Sequence, residues 1–234
     1  MLLSRGLAAL TLSFLFTLSL HAEYLYKDDV VNNPKFAEQI NSIGAELKAK
    51  TGVSLYLVMV RDLDENQSVA DFEKKVSAEV GEPSVIMTFI ELQQQIDILA
   101  RPVSLYEHFN KAQILSPNAT FIGSVVSAVM FARSYDEAKE LIVNRGGTIL
   151  PILAESTKGG ETVQKYSVAM YNGYSDTADQ IAAAQGVTLS SSAGNGSKNF
   201  IDIIRLIFYG IILYGLSRYV YGRFFRRRKK DDNV

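Results

Sequence analysis

The chain has 234 residues, with 24 Lys and Arg against 25 Asp and Glu, and no cysteine. That excludes disulfides, thiolate nucleophiles and Cys-based metal sites, and a cysteine-free exported domain fits a bacterial periplasm better than a eukaryotic cell exterior. The charge is uneven: residues 23–198 hold fifteen Lys and Arg and twenty-two Asp and Glu, a net of −7, which argues against nucleic-acid binding by this portion.

Residues 1–22 read as a signal peptide. Arg5 makes the start positive, Leu7 to Leu20 is an uncharged apolar run, and Leu20-His21-Ala22 ends in a small residue, although Leu20 is larger than the usual Ala at its position. The alternative is an uncleaved N-terminal anchor. Residues 23–189 are long enough for one domain with its own core.

Asn33-Pro34 is an N-cap followed by proline at the first helical position. Phe36, Ile40, Ile43 and Leu47 then share one helical face, and Thr51-Gly52 stops the helix. Val53 to Val60 is a continuous apolar run, which predicts a buried strand. Arg61 to Gln67 is a polar loop. Ser68 with Asp71 resembles a capping box, and Phe72, Val76 and Val80 give the following helix a buried face that Gly81 ends. Ser84 to Leu92 predicts a second strand, Gln93-Gln94-Gln95 a turn, and Ile96 to Leu99 a short hairpin partner.

Ser104 is expected to cap a helix reaching Leu115. Phe121 to Ala132 carries no charge and is expected to be a buried element, and its periodicity leaves residues 117–133 open between helix and strand. Ser134 with Glu137 caps a helix to Asn144, which Arg145-Gly146-Gly147 stops. Thr148 to Leu153 leads through Pro151 into a turn, and a long helix is expected from Glu161 to Gln185. Ser190 to Lys198 reads as a flexible linker.

Phe200 to Gly222 spans roughly 34 Å as a helix, enough to cross a bilayer. Its uninterrupted core is Leu206 to Ser217. Arg205 and Arg218 flank that core and can snorkel to the interfaces. An amphipathic interfacial helix is the alternative, but the apolar residues surround the helix instead of forming one stripe. Arg223, Arg226, Arg227 and Arg228, with Lys229 and Lys230, form a basic tail that the positive-inside rule places in the cytoplasm. Together these signals predict a single-pass protein of a bacterial inner membrane, with its domain in the periplasm.

The order helix, strand, helix, strand, strand, helix, then mostly helices, predicts an α/β fold: a small central mixed sheet covered by helices, plus one C-terminal transmembrane helix. The layout resembles the TPM-domain family, named for thylakoid-lumen, photosystem II repair and receptor-auxiliary members. The resemblance is carried by Phe36-Ala37-Glu38 through Leu47, by Lys50-Thr51-Gly52-Val53 leading into the strand, and by Ser68 to Phe72. It returns at Leu150 to Leu153 and at Lys165-Tyr166-Ser167-Val168-Ala169, and covers about residues 30–187. It departs from the family at Gly81-Glu82-Pro83, where an Asp-Asn-Gly turn is usual, and at Arg101 to Leu105, where a Gly-rich acidic segment is usual. The resemblance implies an accessory or quality-control role at membrane complexes. Some members are credited with metal-assisted phosphatase activity, but their acidic residues have no clear counterparts here.

Chemistry is sparse in the sequence. His108 lacks partners at metal-ligand spacing and is read as structural, within a helix. Asp62 and Asp64, in the loop after the first strand, could bind Ca²⁺ or Mg²⁺ with Asp97, which is the phosphatase alternative; a solvated loop is the simpler reading, and it serves for Asp28-Asp29 too. Otherwise no cofactor is expected. Tyr166, Met170, Tyr171 and Tyr174 share a region of the last long helix: they either pack against the sheet or form a partner-binding patch. The expected function is a membrane-anchored accessory or interaction module. It would bind or protect an inner-membrane protein or envelope complex, contact the membrane and not nucleic acid, and work without catalysis. A purely structural envelope component is a further alternative.

Overall fold

A computed structural model of the chain describes residues 23–64, 67–157, 161–192, 208, 210–215, 217–219 and 221. The expected signal peptide (residues 1–22) and most of the linker and basic tail lie outside these residues. The chain divides into two compact units, one through Ser191 and one from Ser192.

The first unit is built on a four-stranded sheet in the order β1 (Leu25–Asp28), β2 (Ser54–Val60), β3 (Ser84–Ile90), β4 (Gln95–Arg101). β1, β2 and β3 run parallel, and β4 returns antiparallel beside β3. The α/β class with a small mixed sheet is therefore present. α1 (Pro34–Thr51) connects β1 to β2, and α2 (Val69–Val80) connects β2 to β3. Every residue of β3 is buried, as expected of a strand with neighbours on both sides and helices on both faces.

Strand alternation sorts the core into two layers. Leu55, Leu57, Met59, Val85, Met87 and Phe89 face α1 and the long helix α7 (Glu161–Ala184). Val58, Val60, Ile86 and Ile90 face the other way, onto Val76 of α2. The two crossover helices thus lie on opposite faces while the strands advance in one direction. The two crossovers therefore have opposite hands, and one of them breaks the strong right-handed preference of such connections.

Local chemistry explains the helix limits. Asn33 Oδ1 accepts the Lys35 N–H at 2.9 Å, Pro34 fills the first turn, and Gly52 closes α1 at φ +73°, where a side chain would be strained. Ser68 Oγ accepts the Asp71 N–H at 3.1 Å and starts α2. Close packing then fixes α7 against its neighbours. A Cβ on Gly173 would meet Ile149 Cδ1 at 2.2 Å, and one on Gly44 of α1 would meet the Tyr24 ring at 2.3 Å.

Several expectations change. β1 is absent from the sequence reading because it is only four residues long and half of it, Lys27-Asp28, is charged. Asp28 is not a solvated loop residue: its carboxylate accepts the N–H groups of Val30, Val31 and Asn32 at 2.7–3.0 Å and turns the chain from β1 towards α1. The helix expected from Ser104 is broken into a 3₁₀ turn, Val103–Glu107, and a single turn α3, Lys111–Ile114. Asn110 divides them, because its side chain takes the Gln113 N–H at 3.0 Å and starts the chain afresh. Within residues 117–133 the segment 121–131 is helix and none is strand: Thr120 caps α4 (Phe121–Phe131), and after a turn at Ser134 α5 (Tyr135–Val143) follows. The segment around Pro151 is one helical turn, α6 (Leu150–Leu153).

In the second unit the described residues from 208 to 221 are helical, with Phe208, Ile211, Leu213 and Tyr214 more than half exposed. Among the described residues no helix is long and apolar enough to cross a membrane. The expected span, 199–222, is only partly described. Of its flanking residues Arg218 is described, and it is helical, whereas Arg205, Arg223, Arg226, Arg227 and Arg228 lie outside.

Candidate functional site

Asp62, Asp64 and Asp97 are not brought together. Asp62 follows β2 and accepts the Gln93 side-chain amide at 2.6 Å; Asp64 is exposed in the same loop. Asp97 lies mid-strand in β4, opposite Thr88, which pairs in turn with Val58 of β2. Asp62 lies four residues beyond Val58, so it is displaced from Asp97 by about 13 Å along the strands and about 10 Å across them. Asp97 is also held in an ion pair with Lys111. Among the described residues no three His, Asp or Glu side chains are grouped to hold a metal.

The aromatic face of α7 belongs mostly to the core. Tyr166 is 5 % exposed, and Met170 and Tyr174 are fully buried. Tyr166 packs on Phe89, and the Tyr174 hydroxyl donates to the Leu55 carbonyl at 2.7 Å. Burial pushes the Tyr174 phenol well above its ordinary pKa. These three side chains are spent on packing against the sheet and present no surface to a partner; only Tyr171 is half-exposed, beside Val168 and Phe36. His108 follows the 3₁₀ turn instead of sitting mid-helix. It lines an open groove of about 590 Å³ with Glu107, Phe109 and Gln180.

The sequence reading missed a buried carboxyl. Glu73 of α2 is 1 % exposed, and its Oε1 has no hydrogen-bond partner among the described residues. It faces the sheet near Thr88, Asp97 and Lys111. Burial, then the charge of Asp97, push its carboxyl up to about 7; the Thr88 hydroxyl and the Lys111 ammonium counter this only in part. The signal lay in the helical spacing: Glu73 stands between Phe72 and Val76, with Ser77 buried beside it.

A second missed feature is the chain's exit from the first unit. Ser190 and Ser191 do not belong to a free linker. Their backbone N–H groups and hydroxyls all donate to the Glu46 carboxylate, and Lys50 pairs with the same carboxylate at 2.7 Å. Burial raises the Glu46 carboxyl, but Lys50, the Ser191 hydroxyl and the two N–H groups outweigh it and hold the group far below the ordinary carboxylate range.

The largest anomaly is the hairpin of α4 and α5. Only Ser124 and Ala128 of α4 are buried, and no residue of α5 is. Ile122, Val129, Met130 and Phe131 are 67–81 % exposed. The pattern is inverted: in α4 the small residues are the buried ones and the large apolar ones face outward. The base of the hairpin is closed on itself and tied to the domain through Gln113, whose side-chain amide donates to the Gly146 carbonyl and to Asp176 of α7. The Asn118 carbonyl accepts the N–H groups of Gly146 and Gly147 at 2.8 and 3.1 Å. A Cβ on Gly147 would lie 1.8 Å from the Ser116 carbonyl oxygen, so only glycine fits.

In comparisons with known proteins, no family model and no curated protein matched the chain.

Proposed function

We propose that the chain is a membrane-anchored periplasmic accessory module of TPM type, which binds or protects an inner-membrane protein or envelope complex. The observation that carries this reading is the α4–α5 hairpin. An element with large apolar side chains turned outward calls for an apolar surrounding, because an isolated domain gains nothing by exposing it, and this favours a domain that works at the membrane. The leading apolar run, the apolar stretch 200–222 and the basic tail support a single pass with the C-terminus in the cytoplasm. The sheet order with helices on both faces is compatible with the TPM resemblance. The net charge of −7 on residues 23–198 disfavours nucleic acid as a partner.

The separation of Asp62 and Asp64 from Asp97, and the ion pair that already occupies Asp97, weigh against the metal-assisted phosphatase reading. Recognition then rests on surface contacts made close to the bilayer, without catalysis. Crosslinking in living cells with the full-length chain as bait, followed by mass spectrometry, tests it. One dominant membrane protein, lost when residues 199–234 are removed, is the expected result. A soluble partner captured equally well without those residues would overturn the membrane-tethered role.

A further inference from the structure

We propose that the outward face of α4 inserts into the lipid bilayer and so holds the domain against the membrane. This rests on the membrane-tethered reading above and adds a second point of attachment to it.

Phe121, Ile122, Val126, Val129, Met130 and Phe131 are each at least half exposed. Phe131 lies round the helix from the others, and the remaining five present on the order of 550 Å² of largely apolar surface, near the upper end of the roughly 300–600 Å² of the largest patch on an ordinary monomer. Phe121, Ile122, Val126, Val129 and Met130 cover about half of the helix circumference at 100° per residue. Residues 121–132 carry no charge. A helix that turns small residues inward and large apolar ones outward suits an apolar solvent on its outer side.

The length of chain beyond the domain argues that this solvent is lipid. Glu46 pins Ser190 and Ser191, so the stretch between the domain and residue 200 is shorter than the linker read from the sequence alone. Eight residues separate Ser191 from Phe200. Fully extended they reach at most about 28 Å, and as a Gly/Ser-rich coil roughly 14–17 Å. A second copy of the chain would have to be recruited from solution, whereas the proposed span at residues 200–222 would keep Ser191, and with it the domain, within that length of a bilayer. In the hairpin Asp136, Glu137 and Glu140 are matched by Arg133, Lys139 and Arg145, which stacks on the Phe121 ring, so there is no net charge to draw anionic headgroups and insertion is mainly apolar in origin and only weakly sensitive to salt.

The chain contains no tryptophan, so a single introduced one is an unambiguous reporter. Full-length Val129→Trp, Ile212→Trp and Leu92→Trp variants are reconstituted in phosphatidylcholine vesicles with and without brominated acyl chains. Leu92, in the β3–β4 turn, is 71 % exposed and serves as the control. Bromine is expected to quench most of the emission at positions 129 and 212, at low and high salt alike, and to leave position 92 unchanged. Quenching at 212 without quenching at 129 overturns the insertion and leaves the tether standing. If position 129 is then shielded from aqueous quencher as well, a second copy or another protein covers the face. Equal quenching at 92 and 129 also overturns the insertion, because the contact is then not specific to the hairpin. No quenching at 212 overturns the tether itself.

Discussion

Glu73 makes the stability of the α/β unit depend on pH in a direction opposite to that of most carboxylates. Its folded carboxyl titrates at about 7, against an ordinary 4.5. A group whose pKa is raised by folding contributes fully below its unfolded pKa, and that contribution is lost as pH rises through the folded value. Below pH 4.5 the carboxyl is neutral in both states. Between 4.5 and 7 the unfolded chain ionises while the buried group resists, so the unfolded state is favoured progressively. Above 7 the loss levels off. The gap corresponds to roughly 3 kcal/mol, of which about 2 to 3 kcal/mol falls between pH 5 and 8. Glu46, whose carboxyl is depressed, works in the opposite sense: its contribution is lost only as pH falls below the ordinary carboxylate range. Pairing Glu73→Gln with wild type isolates the effect. Denaturant unfolding of residues 23–192 at pH 5, 6, 7 and 8 should show wild type losing stability relative to the variant by about 2 to 3 kcal/mol across the series. Parallel pH profiles for the two proteins would refute the argument, because they would mean that the carboxyl ionises as freely in the fold as in the unfolded chain.

Three further outcomes follow from specific contacts. Gly147→Ala sets a methyl group against the Ser116 carbonyl and should destabilise the unit by about 3 kcal/mol or more, read as a lower denaturation midpoint. Tyr174→Phe removes the hydroxyl that donates to the Leu55 carbonyl; thermal melting should report a loss of about 1–3 kcal/mol, since the acceptor is left buried. Glu46→Ala frees Ser190 and Ser191 and should speed limited proteolysis after Gly186, with the midpoint of the core changed far less.

Much of the fold was legible because it is written in local chemistry. Asn33-Pro34, Ser68 with Asp71, and the apolar runs of β2 and β3 each have one favourable local solution, and the structure adopts it. What failed depends on distant partners. β1 is a strand because β2 offers it an edge, and nothing within Leu25–Asp28 announces this. Asn110 divides an expected helix through a side-chain bond that propensity does not weigh. For α4 the apolar composition was visible but its direction was not, because a run apolar on all sides carries no periodic mark of which side is buried. The tyrosines of α7 were ambiguous for a related reason: a Tyr and Met face reads alike as core or as contact until the sheet beneath it is placed.

The two surfaces that departed from expectation bear on each other. The face of α7 taken as a possible contact surface is committed to the core, through Tyr166, Met170 and Tyr174. The run of 121–131, whose apolar character suggested burial, is instead displayed. Display could reflect a loosely attached segment, but the base of the hairpin argues otherwise. Gly147 packs against the Ser116 backbone more closely than any side chain allows, and the Gly146 and Gly147 N–H groups share the Asn118 carbonyl. These contacts close the hairpin at its base, and Gln113, bonded to both Gly146 and Asp176 of α7, ties that base to the domain, so the large apolar residues of α4 are displayed on an anchored element. A surface built in this way requires an apolar medium or partner within reach, and Glu46, by pinning Ser190 and Ser191, shortens that reach. In the proposed anchoring the hairpin supplies the apolar contact, and the clamp at the chain's exit shortens the stretch of sequence between the domain and residues 200–222.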